Sequence, residues 1–196
     1  MVMHLRNGWK HYLYIATIIF FTLGFLNIIF ALLGLICLIL PFLLLVKTKR
    51  KTWCQGYCPR ASLFNILFRK YSLTGKAGPE WFINGDAKWY VLAYFIFNIF
   101  VLVMSTFMVY SGRMFPMEKV RFLIALVLPW DMPNLFDFGT FTNWTIHLSF
   151  RVYSMMFTTT VIGLLLALFY KPRTWCRVCP INTVSDLMLK KNDRKF

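Results

Sequence analysis

An apolar stretch near the start of the chain, from Tyr12 to Val46, contains no charged residue. As a single α-helix it would extend over about 50 Å, because each residue adds about 1.5 Å. The hydrocarbon core of a bilayer is only about 30 Å thick. The stretch is therefore predicted to form a tight helical hairpin that turns near Gly24–Asn27, with short or tilted helices. One long tilted helix is the alternative, and it would place the N-terminus on the other side of the membrane.

Two further apolar segments are long enough to cross a membrane, and spans are predicted at Trp89–Ser111 and Val152–Tyr170. The segment between them, 112–151, is mixed in composition and is expected to form an outer loop. Within this loop the run Phe122–Trp130 is apolar but too short to cross, so it is predicted to be interfacial or re-entrant.

Composition and charge agree with a membrane protein. Hydrophobic residues make up 59% of the chain and charged residues 15%, against about 45–50% and about 25% in soluble domains. The formal net charge of +15 would suggest nucleic acid as the partner of a soluble protein. Only four of the 22 Lys and Arg residues lie in the outer loop, however: Arg113, Lys119, Arg121 and Arg151. Positive charge collects on the cytoplasmic side of membrane proteins, so topology explains the charge and no nucleic acid is predicted.

Two parts of the sequence resemble each other. The tripeptide Thr-Trp-Cys occurs at 52–54 and 174–176, and Cys-Pro occurs at 58–59 and 179–180. Each Cys-Pro precedes a segment with the same polar and apolar pattern, which ends in a basic pair. Proline is favoured at the first position of a helix, and the apolar residues of both segments fit helices at the membrane surface. The sequence therefore predicts two repeats of the same unit.

The predicted fold is all-α: an integral membrane four-helix bundle built from two parallel helical-hairpin repeats with short interfacial helices. Such repeats are related by an axis along the membrane normal. The whole chain, 1–196, is expected to be one membrane domain. Repeat 1 (1–75) has a hairpin, a cysteine motif and an interfacial helix. Repeat 2 (76–196) adds the outer loop and ends in a tail helix. The chain is predicted to be multi-pass in the inner or cytoplasmic membrane, with both termini cytoplasmic.

Four of the five cysteines lie in the repeated motifs, as C-x-x-x-C-P (Cys54, Cys58) and C-x-x-C-P (Cys176, Cys179). The first pair follows the second of the four predicted spans, and the second pair follows the fourth. Both pairs are therefore expected on the same, positively charged side of the membrane. Neighbouring spans of a bundle can bring all four sulfurs together. Four thiolates are a complete ligand set for a [4Fe–4S] cluster and also for structural zinc.

Several features favour the cluster over zinc. Both pairs end in Cys-Pro, as ferredoxin-type runs do. Basic neighbours would offset the negative charge of a thiolate-bound cluster, and aromatic neighbours would limit water access. The basic residues are Lys51, Arg60, Arg173 and Arg177, and the aromatic ones are Trp53, Tyr57 and Trp175. Both residue types are also expected at span ends in general, and zinc accepts C-x₂₋₄-C spacing, so zinc stays an alternative.

The remaining candidate ligands carry less chemistry. Cys37 lies inside the second predicted helix and is expected to act as a small buried apolar side chain. His147 is expected near the outer surface, and no two histidines are predicted to face each other within the spans. The sequence therefore does not predict a b-type haem.

With CQGYCPR and CRVCP at the ends of two membrane hairpins, the chain resembles membrane-bound 4Fe-4S binding proteins with paired CxxxCP motifs. This group includes the NapH-type and NosR-type quinol-linked electron-transfer proteins. The resemblance implies that the four motif cysteines hold an iron–sulfur centre and that electrons pass at the cytoplasmic face. The second motif here has one intervening residue fewer than the family pattern. The sequence also has no soluble C-x-x-C-x-x-C-x-x-x-C-P module, so electrons are expected to be exchanged with a separate protein.

The predicted function is that of an electron carrier or oxidoreductase subunit in the membrane, with one [4Fe–4S] cluster. Its expected partners are the lipid bilayer, a soluble ferredoxin-like or flavin redox protein, and a quinone or other membrane subunit. One alternative is a DsbB/VKOR-like thiol–disulfide oxidoreductase that uses Cys176 and Cys179. Such enzymes work on the oxidising side, whereas the charge pattern places both pairs on the other side. The second alternative is a zinc-binding structural or assembly subunit.

Overall fold

The computed structural model describes residues 12–68, 86–124, 126–129 and 142–193, with Gly78 and Phe82. The chain is mostly helical. Its α-helices are α1 (Leu13–Leu26), α2 (Leu33–Thr48), α3 (Pro59–Phe68), α4 (Ala87–Tyr110), α5 (Asn143–Phe169), α6 (Thr174–Val178) and α7 (Pro180–Asp193). A 3-10 helix (Ile28–Leu32) precedes α2, and a π-helical turn (Trp53–Tyr57) precedes α3. Two short strands, β1 (Arg121–Phe122) and β2 (Leu126–Val127), lie between α4 and α5. Residues 1–11 and 194–196, predicted to be cytoplasmic, lie outside the described residues.

Three helical segments among the described residues are long and apolar enough to cross a membrane: Ile28–Thr48, Ala87–Tyr110 and Asn143–Phe169. The second agrees closely with the predicted span Trp89–Ser111. The third begins well before the predicted Val152. Its first turns contain His147 and Ser149, which are fully buried and hydrogen-bonded inside the protein, so the helix continues through them.

His147 is the clearest case of such a partnered polar side chain. It is fully buried, and its Nδ1 accepts a hydrogen bond from the Met117 amide at 3.0 Å. Its Nε2 lies 3.0 Å from Ser105 Oγ. Because Nδ1 accepts, the neutral ring carries its proton on Nε2 and donates to the serine. His147 thus joins α4, α5 and the loop between them.

The chain turns between α1 and α2 at Asn27, whose extended backbone (φ −151°, ψ 123°) ends the first helix. The Asn27 side chain accepts a hydrogen bond from the Ile29 amide at 3.0 Å, which caps the following 3-10 helix. Beyond the turn, a Cβ placed on Gly34 would lie 3.2 Å from Phe20 Cζ, so α2 folds back along α1. This is the turn that the sequence predicted near Gly24–Asn27.

Contacts along α5 set the direction of α1 and α4. Gly24 of α1 lies against Tyr153, where a Cβ would be 2.5 Å from Tyr153 Cε2, and the ring of Phe21 meets that of Phe157 at 6.4 Å between centroids. Residue numbers rise along α1 as they fall along α5, so these helices are antiparallel. The same holds for α4, since Ser105 near its end bonds His147 near the start of α5.

The helix α2 runs in the same direction as α5. Ile28 and Ala31 share a buried cluster with Phe150 and Tyr153, and Gly34 lies next to Val152 and Met156. As a consequence α2 and α5 finish at the same end of the molecule. We call this the cysteine end, because the two cysteine motifs follow these two helices.

The position of α3 differs from the predicted surface location. Phe64 of α3 is fully buried and packs on Gly163 of α5, where a Cβ would lie 2.7 Å from Phe64 Cε2. One turn earlier, Arg60 of α3 hydrogen-bonds Thr159 of α5. From the first pair to the second, the residue number rises by four in both helices, so α3 runs parallel to α5. On its other side α3 contacts α1. Thr159 lies about 15 Å before the end of α5 at about 1.5 Å per residue, so the first cysteine motif turns back into the helical core.

The described part of the loop 112–151 contains a small β-hairpin. Strands β1 and β2 pair antiparallel, with Phe122 opposite Leu126. The turn between them holds Leu123 and Ile124 at positive φ (50° and 69°), a conformation that β-branched residues rarely adopt. Hydrogen bonds fix the hairpin to α5, as described below. Trp130, the end of the predicted apolar run, lies outside the described residues.

Candidate metal centre

The two cysteine motifs have the same order of elements at the cysteine end. In the first, Cys54 lies in the π-helical turn, Cys58 follows the turn, and Pro59 begins α3. In the second, Cys176 lies in α6, Cys179 follows α6, and Pro180 begins α7. Proline lacks an N–H, which the first position of a helix does not need. Each motif therefore presents two thiols just before a new helix starts.

Thiols of the two motifs lie near enough to interact electrostatically. Cys54 is influenced by Cys58 and Cys179, and Cys176 by Cys58, Cys179 and Cys54. All four side chains are partly buried and free of disulfide bonds. Among the described residues, no three His, Cys, Asp or Glu side chains are grouped tightly enough to hold a single metal ion. The electrostatic coupling places the four predicted site cysteines in one region.

Burial keeps these thiols protonated in the absence of a metal. It raises the pKa of Cys54 to about 11 and that of Cys176 to about 12, and neighbouring thiols add to both shifts. Burial also raises the pKa of Cys179. Thiolates, not thiols, are metal ligands, so a metal that binds here must displace these protons.

Arg60 places a positive charge among these sulfurs. Its Nη1 donates to Thr159 Oγ1 at 2.7 Å, and the guanidinium also hydrogen-bonds the Cys37 thiol. Burial lowers the pKa of Arg60, but the sulfurs of Cys37, Cys58 and Cys179 outweigh it and raise the pKa above its ordinary value. The residue is therefore a permanent cation that faces both motifs.

Two features could not be read from the sequence at this site. Cys37, expected to be a small apolar side chain, lies beside Arg60 because the first motif turns back along α2. Lys51 also links the two motifs: its Nζ pairs with Asp186 and donates to Asn182 Oδ1 at 3.2 Å. Asp186 is half exposed, so this pair adds only about 0–1 kcal/mol to stability. Its effect is to hold the segment just before the first motif against α7.

An apolar cluster closes one side of the site. Trp175 and Val178 of the second motif are buried together with Phe64 of α3 and Ala167 of α5. The predicted role of Trp175 in limiting water access agrees with its exposure of 7%. Tyr57, in contrast, is 40% exposed and leaves the first motif more open.

The comparisons with known proteins point to one cofactor. The family model of a 4Fe-4S binding domain matches residues 30–77 and 153–196. Each matched segment contains one cysteine motif, with the long helix before it and the helix after it. Comparison with curated proteins and with solved structures gave no match. The family match supports an iron–sulfur binding protein with a [4Fe–4S] cluster, the cofactor that the sequence predicted.

Proposed function

We propose that the chain is a membrane electron-transfer protein in which Cys54, Cys58, Cys176 and Cys179 hold one [4Fe–4S] cluster. The observation that carries this proposal is the approach of both thiol pairs at the cysteine end, beside the partly buried guanidinium of Arg60. The match to a 4Fe-4S binding domain supports the cofactor independently of that geometry. When bound, the cluster supplies one-electron redox chemistry, which is its own property and not that of the side chains.

The family match favours a cluster over a zinc ion as the occupant of the site. Four cysteine thiolates are the usual ligands of a [4Fe–4S] cluster. Cys54, Cys58, Cys176 and Cys179 would supply these ligands, and because structural zinc accepts the same four thiolates, the family match is what separates the two.

The surrounding residues have distinct tasks in this proposal. The charge of Arg60 offsets the negative charge that four thiolates bring and stabilises the reduced form. Trp175 and Val178 exclude water from the side that faces the helical core. Lys51 holds the two motifs together through α7. Potential and stability of a cluster depend on such charges, hydrogen bonds and solvent access.

We further propose that α1, α2, α4 and α5 cross the membrane as two parallel hairpin repeats, with the cysteine end at the cytoplasmic face. Outward-facing apolar side chains support contact with lipid, for example Leu43 and Val46 of α2 and Phe100 and Phe107 of α4. Each of these is more than half exposed, which would be costly in water. The charge pattern of the loops supports the orientation.

The proposed electron route connects a soluble ferredoxin-like or flavin protein with a quinone or a second membrane subunit. Exposed basic side chains surround the cysteine end in the part of the chain that the structure describes. They are Lys47, Lys49, Arg50, Lys171, Arg173 and Arg177. A positive surface of this kind attracts an acidic partner and speeds its encounter.

This route can be tested in membrane vesicles of both orientations. A reduced ferredoxin added outside is expected to reduce the cluster in vesicles that expose the cytoplasmic face, followed by its EPR signal. It should leave the cluster oxidised in vesicles of the opposite orientation. The Cys37→Ser variant is the control and should behave as the wild type. Reduction only from the opposite face, or none from either, would contradict the proposal.

The DsbB/VKOR-like alternative makes a different prediction about access. A thiol reagent that cannot cross membranes should label the motif cysteines of intact cells under that alternative, because its thiols work on the outer side. Under our proposal the same cysteines are not labelled in intact cells, and they react only after the cytoplasmic face is opened and the cluster is removed. Zinc in place of iron in the purified protein would favour the structural or assembly subunit.

Substitution of Arg60 is expected to lower the reduction potential of the cluster. Arg60→Gln removes a positive charge near three sulfurs, so the reduced form loses stabilisation and the potential should fall by roughly 60 mV, a tenfold change in a one-electron equilibrium. Thr159→Val is the matched control, because it removes the 2.7 Å hydrogen bond and keeps the charge. It should cause a smaller shift in an EPR-monitored redox titration. Equal potentials in wild type and Arg60→Gln would show that the guanidinium does not act on the cluster.

A further inference from the structure

A long slot separates α4 from α5 and is not part of the cysteine site. Its volume is about 370 Å³. Along α5 it extends from Arg151 to Leu166, which is about 22 Å at about 1.5 Å per residue. One end is bounded by the β-hairpin and the other by Trp175 and Pro180 of the second cysteine motif.

The walls of the slot are apolar, whereas its hairpin end carries two cations. Tyr94, Phe95, Leu102, Met155 and Ile162 line the sides. Arg121 and Arg151 lie at the hairpin end. This combination matches a ligand that has a long apolar part and an anionic group at one end.

Hydrogen bonds to α5 hold the two arginines side by side. The Arg121 amide donates to Ser154 Oγ at 3.0 Å, and the Leu123 amide donates to Thr158 Oγ1 at 3.3 Å. These bonds fix strand β1 one turn from Arg151, so the two guanidinium charges repel each other. The hairpin therefore holds two like charges close together.

Nothing in the described part of the chain neutralises this pair. Among the described residues, the ion pair that the structure contains joins Lys51 to Asp186, at the other end of the molecule. Arg151 Nε is buried and has no hydrogen-bond acceptor. Buried polar groups almost always have a partner, so the missing acceptor points to a ligand.

We propose that the slot binds an acidic phospholipid, with its phosphate between Arg121 and Arg151 and an acyl chain along the slot toward Trp175. The apolar walls favour a lipid over a water-soluble anion. The hydrocarbon part of one leaflet is about 15 Å thick, half of the bilayer core. The slot is longer than this, so it is long enough for an acyl chain. The arginines lie at the end opposite the cysteine motifs. The inference rests on the proposed membrane location but not on the cluster.

The test uses the full chain purified in a neutral detergent, with bound lipid counted by native mass spectrometry. Phosphatidylglycerol, phosphatidylcholine and inorganic phosphate are added separately. The wild type is expected to retain phosphatidylglycerol at least tenfold more tightly than phosphatidylcholine. Arg121→Gln and Arg151→Gln should each reduce this retention about tenfold. The exposed Arg113→Gln is the matched control and should not change it.

A second variant tests the slot without removing a charge, in case an arginine variant does not fold. Met155→Trp fills the slot from its wall and leaves both arginines in place, so it should also expel phosphatidylglycerol. Equal retention of the two phospholipids, or equal losses in Arg113→Gln and Arg151→Gln, would overturn the proposal. Inorganic phosphate that binds as tightly as phosphatidylglycerol would overturn the lipid as the occupant. Since iron content is measured on the same sample, a failure of the cluster proposal would be seen separately.

Discussion

Replacing one cysteine of either motif, as in Cys54→Ser or Cys179→Ser, is expected to remove the cluster from the protein. A [4Fe–4S] cluster has four thiolate ligands, and in the proposed arrangement two come from each motif. Loss of any one would leave the cluster with only three of its four thiolate ligands. Iron should fall from about four atoms per chain, the number that a [4Fe–4S] cluster holds, to nearly none, with loss of the visible absorbance.

Cys37→Ser is the matched control for these variants. It makes the same chemical change in a cysteine that lies beside Arg60 but outside the motifs, so iron content should stay unchanged. If Cys54→Ser keeps its full iron, the first motif does not ligate the cluster and the two-motif site is wrong. Loss of iron in the Cys37 variant would mean that the ligand set includes a residue other than the four proposed.

A single added methyl group at Gly163 is expected to destabilise the protein and disturb the site. A Cβ there would lie 2.7 Å from Phe64 Cε2, so Gly163→Ala forces α3 away from α5. Overpacking of this kind costs about 1–3 kcal/mol. It acts against the gain of about 1 kcal/mol that alanine otherwise brings to a helix. Because Cys58 directly precedes α3, the iron content should fall together with the midpoint of thermal unfolding in detergent.

Replacing the opposing phenyl ring by a smaller side chain should restore stability to this variant. Phe64→Leu makes room for the new methyl group, so the double variant should lose less stability than the sum of the two single variants. Contacting residues commonly show coupling of about 0.5–3 kcal/mol in such a cycle. Strictly additive effects, or a Gly163→Ala protein as stable as the wild type, would contradict the close packing of α3 on α5.

The sequence predicted the features that depend on local pattern. An uninterrupted apolar stretch too long for one span implied the turn near Asn27, and hydropathy alone located α4. Cys-Pro pairs implied a helix after each motif, and α3 and α7 begin at Pro59 and Pro180.

The features that depend on contacts between distant residues were not predictable. The inward position of α3 requires Gly163 opposite Phe64, a pair separated by about half of the chain. The early start of α5 requires partners for its polar residues, such as Ser105 and Met117 for His147. The link between Arg60 and Thr159 follows from the position of α3, so the sequence could assign Arg60 only a general role in charge balance.

The most direct test of the central claim is the metal and sulfide content of the full chain, purified without oxygen and measured with its EPR spectrum after reduction. The shared site predicts about four iron atoms and four inorganic sulfides per chain, as in a [4Fe–4S] cluster, with an EPR signal that appears on reduction and with no zinc. One zinc per chain, or a colourless protein that takes up no iron on reconstitution, would contradict it.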